Sequence, residues 1–167
     1  MSHRNIRFFL GTALAAALLF ACSSCGEVTT IQEEDAAQAI RSQLRSAGVD
    51  AEWPAVPELH PVLFFGPDAE RVALLVGGPG GSRIEFYRFP DAETAAKAAA
   101  GVSEDGFEIP TDTGTANVQW VGPPHYFAKG RMIVLYVENA GNDADGSIDR
   151  SVLAVLRDVM GDQFAGR

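Results

Sequence analysis

The longest unbroken apolar run beyond the first 22 residues is Met132, Ile133, Val134, Leu135, Tyr136 and Val137, entered from Arg131. A strand that faces water on one side alternates apolar and polar residues, whereas a run without alternation belongs at the centre of a sheet, buried on both faces. Arg131 to Val137 is therefore expected to be a central strand. The other segments have to be arranged around it.

Two further stretches, Arg71 to Val76 and Ser82 to Phe89, flank Gly77, Gly78, Pro79, Gly80 and Gly81 and predict a hairpin. In the second of them Ile84 and Phe86 fall on one face, and Arg83, Glu85 and Tyr87 on the other. The glycines do not make a phosphate cradle, because the G-x-x-x-x-G-K-[ST] spacing, a following helix and a lysine are all missing. Asn117 to Val121 is expected to pair with the central run, with Lys129 and Gly130 as the turn. Val49 to Trp53 predicts a short strand before Pro54, Pro57, Pro61 and Pro67, whose spacing excludes a regular interior element. Residues 103–116 read as an exposed loop with a short strand near Phe107 and Ile109.

Three helices are expected. Thr30 with Glu33 three residues on has the form of a capping box, and Ala37, Ile40, Leu44 and Ala47 recur at helical spacing before Gly48, giving Ile31 to Ala47. Asp91 caps Ala92 to Ala100, an almost all-alanine helix suited to close packing on a sheet. Asp145 or Ser147 caps Ile148 to Met160, whose Ile148, Val152, Val155, Leu156 and Val159 form a stripe ending at Gly161. The resulting fold class is α+β: an antiparallel sheet of four or five strands, with the Ala92 and Ile148 helices on one face and the thinly striped Ile31 helix at an edge.

The N-terminus carries an address. Arg4 and Arg7 precede an apolar run from Phe8 to Ala21, within the roughly 7–15 residues of an export signal and short of the about 20 needed to span a bilayer. Leu19, Phe20, Ala21 and Cys22 resemble the lipobox of bacterial lipoproteins, which implies cleavage before Cys22 and fatty acyl chains, palmitate among them, on its sulfur. The chain then divides into a signal at 1–21, a short tether at 22–29 and one domain at 30–167. Each buried CH₂ of an acyl chain adds about 0.8 kcal/mol, so several chains hold a protein firmly on a membrane. The C-x-x-C formed with Cys25 lacks the histidine of a haem attachment and the preceding strand of a redox motif.

Charge narrows the partners. The chain has 13 Lys and Arg against 22 Asp and Glu, net −9, and loss of Arg4 and Arg7 with the signal would leave −11. Nucleic acid is excluded as a partner, and so is a polybasic contact with anionic lipid headgroups. With no cysteine after Cys25, burial and not disulfides must stabilise the domain.

Trp120, Pro123, Pro124, His125, Tyr126, Phe127, Lys129, Gly130 and Arg131, followed by the Ile133 to Val137 run, resemble small bacterial lipoproteins of unassigned function. The Tyr87, Phe89, Pro90 junction and the ending Gly161, Gln163, Phe164, Ala165 and Gly166 are similar too. The resemblance covers Asp50 to Arg167. It implies a shared extracytoplasmic domain and supplies no catalytic residue.

Candidate chemistry is sparse. No G-x-S-x-G elbow and no H-E-x-x-H are present, and His60 and His125 are the only histidines beyond the signal. Gly141 to Asp149 places acids as an EF-hand does at two positions, but the first ligand and the closing glutamate are absent, so a turn and helix cap outweigh calcium between Asp143 and Asp149. No cofactor, metal or catalytic residue is assigned. The candidate surface is Trp120, Pro123, Pro124, His125 and Tyr126, stiffened by paired prolines and suited to a protein, glycan or small apolar ligand. The chain reads as a lipid-anchored extracytoplasmic binding or interaction module at the cell membrane. An apolar-ligand carrier or sensor is the first alternative and an enzyme of unknown class the second.

Overall fold

A computed structural model describes residues 27–55, 64–78, 80–139 and 145–166, with side chains from Ala36 onward. Cys22, the signal, His60 and Asp143 lie outside the described residues. The elements are α1 (Glu27–Ser46), β1 (Ala51–Glu52), β2 (Glu70–Val76), β3 (Ser82–Arg88), α2 (Ala92–Ala100), β4 (Glu108–Thr111), β5 (Gly114–Asn117), β6 (Pro124–Lys129), β7 (Met132–Val137), α3 (Ser147–Met160) and β8 (Gln163–Gly166).

The domain is α+β. Its main sheet has six strands, all pairings antiparallel, in the order β1-β2-β3-β7-β6-β8, and β4 and β5 form a separate two-stranded sheet. The central pair is β3 with β7, where Ile84 faces Tyr136 and Phe86 faces Val134. Alternation along β7 explains its continuous apolar character. Met132, Val134 and Tyr136 enter one core, and Ile133 and Leu135 the opposite one.

The sheet is thus covered on both faces, which corrects the expected arrangement of helices. On the first face α1 and α3 pack together, with Ile40, Leu44, Val152 and Leu156 all at 0% exposure. On the second face lie α2, the β4–β5 hairpin and the segment from Phe64 to Ala69. Helix α1 is a full partner in the core and not an edge element, because Ala37, Ile40 and Leu44, though few, all point inward. It also begins at Glu27, so Thr30 lies inside it and not at its cap, and part of the expected tether is helical.

The strand count rises from four or five to six, with β6 in the place expected for 117–121 and β8 added outside it at the edge. The apolar residues after Pro123 form β6, since proline is tolerated as the first residue of a strand, and β6 rather than 117–121 pairs with β7. The turn between them is Gly130 and Arg131, with Gly130 at φ +59 supplying the left-handed conformation. After Gly161 the chain returns as β8 along β6, pairing Tyr126 with Ala165.

Local chemistry supports the elements. Asp91 caps α2, its carboxylate accepting from the Thr94 amide at 2.7 Å, and this bond holds its pKa below the usual value. Gly101 follows because Pro110 crowds it, not because of backbone handedness: an added Cβ would lie 2.5 Å from the proline ring. Helix α3 starts at Ser147 behind Gly146, while Asp145 accepts the Ser147 amide at 3.0 Å. Phe65 is held at φ +64, a costly conformation for a bulky residue, with its ring edge-on to Tyr87 at 4.8 Å.

Candidate functional site

On the second face, Arg83, Glu85 and Tyr87 project from β3 towards the side opposite α1 and α3. Glu85 stands opposite Leu135 of β7 in the antiparallel register. The segment from Gln119 to Val121, leaving the β4–β5 hairpin, passes beside them. Together they enclose a half-open cleft of about 250 Å³, with Arg83, Glu85, Gln119 and Asn139 as polar lining and Trp120, Val121, Leu135 and Val137 as apolar lining.

Trp120 is fixed in this wall by contacts of its nitrogen and of its ring. Its Nε1–H donates to the Gly106 carbonyl at 2.9 Å, and its ring meets Phe64 edge-on at 5.7 Å. The same carbonyl accepts from the Tyr126 hydroxyl at 3.0 Å. Gly106 adopts φ +77, and a Cβ there would come within 2.7 Å of the Tyr126 ring. Only glycine lets this carbonyl approach both donors.

Glu85 is the cleft's deepest charge-bearing group, only 7% exposed. Acidic side chains are seldom buried without partners. Its Oε2 accepts a hydrogen bond from the Tyr87 hydroxyl. Burial, and then the neighbouring Glu85 charge, push the Tyr87 pKa well above its ordinary value, so Tyr87 remains a neutral donor.

The sequence-derived surface is dispersed. Trp120 is half-buried in the cleft wall and Pro123 is exposed, but Pro124, His125, Tyr126 and Phe127 are buried in β6. Successive residues of a strand point to opposite faces. Phe127 accordingly joins the α1/α3 core and Tyr126 the other, so the residues do not converge on one surface. Arg83, Glu85, Gln119, Val121 and Asn139 were not singled out from the sequence. The available signal was the placement of Arg83, Glu85 and Tyr87 on one strand face, which reads as a solvated face unless the 106–121 segment is known to cover it.

His125 has a different setting. Its Nε2 lies 2.9 Å from Glu138 Oε1, its Nδ1 2.9 Å from Gln163 Oε1, and its ring stacks on Tyr136. The Tyr136 hydroxyl donates in turn to Asp149. A histidine beside a carboxylate resembles part of a hydrolytic triad, but here the second nitrogen faces an amide and the ring is 3% exposed. The cluster ties β6, β7, β8 and α3 together. It offers no nucleophile to a substrate.

Among the described residues no three His, Cys, Asp or Glu side chains converge as metal ligands, and no helix is long and apolar enough to cross a membrane. Asp149 and Asp145, two acids of the loop weighed for calcium, accept from Tyr136 and from the Ser147 amide. No protein-family model, curated protein or solved structure matches the chain.

Proposed function

We propose that the protein is a non-catalytic binding module of the cell envelope, anchored on the extracytoplasmic side by acyl chains on Cys22, and that its ligand enters the cleft walled by Trp120. One observation carries the binding half: a nearly buried acid, Glu85, opens into a small cleft whose other wall is apolar and fixed in place. Binding sites commonly combine an apolar lining with a few placed polar groups. The anchoring half rests on Leu19, Phe20, Ala21 and Cys22 behind a short apolar run.

The cleft is smaller than the roughly 300 Å³ at which ligand pockets begin, and half-open, which favours reversible capture over the enclosed store of a carrier. Against catalysis stands the burial of His125 between Glu138 and Gln163.

Two measurements test the reading. Cys22→Ser should move the protein out of the membrane fraction; retention there would refute the anchor. A panel of small organic fragments should change Trp120 emission in full-length Trp53→Phe protein, and Val121→Asp should abolish the response. Silence of the whole panel would refute the cleft as a site.

A further inference from the structure

Resting on that reading of the cleft, we propose that its ligand is a small zwitterion with an apolar body, of the amino-acid or short-peptide class. Glu85 receives the ammonium end, Arg83 the carboxylate end, and Trp120, Val121, Leu135 and Val137 the apolar body.

The assignment starts from spacing. Arg83 and Glu85 are two residues apart on one face of β3, so their Cα atoms are separated by about 6.6 Å, twice the rise of a strand. Opposite charges therefore line one cleft side by side. A ligand with a single charge meets one favourable and one unfavourable neighbour there. A ligand carrying both charges meets a favourable neighbour at each end.

Glu85 sets the orientation. Its Oε2 accepts from the Tyr87 hydroxyl, a neutral donor that brings no positive charge of its own. An ammonium group reaching Glu85 would supply three donors together with an opposite charge. Arg83, half-exposed nearer the strand end, presents a guanidinium, whose planar fork matches a carboxylate.

The apolar wall sets the body. Val121 is 87% exposed, the largest exposure of any large hydrophobic side chain among the described residues. It stands at the cleft beside Trp120, and Leu135 and Val137 continue the apolar lining. A branched or aromatic side chain would remove this surface from water at about 25 cal/mol per Å². A volume of about 250 Å³ admits a single side chain and not a folded partner.

The test is calorimetric titration of the full-length protein in detergent micelles with leucine, leucyl-leucine, isoamylamine and isocaproate. The last two are leucine without its carboxylate and leucine without its ammonium group. Leucine or leucyl-leucine should bind at least about tenfold more tightly than either analogue, a loss of about 1.4 kcal/mol per missing end. Tighter binding of leucine assigns a free amino acid; tighter binding of the dipeptide assigns a peptide. Glu85→Gln should weaken the zwitterion about tenfold and remove the penalty against isocaproate, and Arg83→Gln should do the same for isoamylamine. Both variants should melt within a few degrees of the parent, which separates lost binding from lost folding.

Equal affinity for an analogue and its zwitterion, or unchanged affinity in both variants, overturns the proposal. If all four compounds fail while fragments still alter Trp120 emission, the ligand class is wrong and the cleft stands. If the fragments are silent as well, both fall together.

Discussion

The two faces of the central sheet are built by different means. On the first, α1 and α3 bring Ile40, Leu44, Val152, Leu156 and Met160 against Leu74, Ile84, Phe86 and Val134, a mainly aliphatic core closed by two long helices. On the second, α2 is short, and of its residues only Ala95 is buried; aromatic residues from loops and strands, Phe64, Phe65, Tyr87, Phe89 and Tyr126, fill the space instead. A pair of long helices closes the sheet, whereas a short helix and a small hairpin leave Arg83 and Glu85 beside a cleft. The face covered less completely is the one left for recognition.

The largest expected effect is on the closed face. Leu44→Ala or Leu156→Ala should each cost about 2–5 kcal/mol in urea unfolding. Ala95→Gly, in the helix of the other face, should cost only about 1 kcal/mol. Equal losses would break the contrast.

Next comes Gly106→Ala, which combines an unfavourable φ of +77 with a contact at 2.7 Å to Tyr126. It should destabilise by about 1–3 kcal/mol and shift Trp120 emission to the red as the indole loses its anchor. An unshifted spectrum in a Trp53→Phe background would mean that the carbonyl does not hold the wall.

Alkaline titration compares the faces directly, since Tyr136 lies on the closed one and Tyr87 on the open one. Burial raises both pKa values far above the ordinary 10.0. The folded state therefore keeps protons that the unfolded chain releases above about pH 10. Stability should be full below that pH and fall above it, by about 1.4 kcal/mol per unit for each such tyrosine. Tyr87→Phe or Tyr136→Phe should flatten the slope by one share, whatever it does to the level. An unchanged slope would show that the residue ionises in the folded protein.

The smallest effect on stability is expected from Val121→Asp. At 87% exposure the side chain adds little to folding, so stability should stay within about 0.5 kcal/mol while fragment binding disappears.

Much of the fold was legible because local chemistry and tertiary packing agreed. The Gly77–Gly81 turn, the Asp91 cap and the unbroken Met132–Val137 run each pointed to the element that formed. The β6 strand was hidden by Pro123 and Pro124, which advertise a turn although the second proline opens the strand. The β8 strand is four residues long and has meaning only beside β6. The cleft was the least legible feature. Arg83 and Glu85 on alternate positions look solvated, and what shelters them comes from residues 119–121, far away in sequence.

The Gly106 carbonyl oxygen receives Trp120 and Tyr126 at once, while the Gly166 amide donates to the carbonyl of neighbouring Glu104 at 2.9 Å. The loop between them works as a rivet, joining an indole at the rim, a phenol in the interior and the outermost strand. Slack at any one of these three would be felt at the other two.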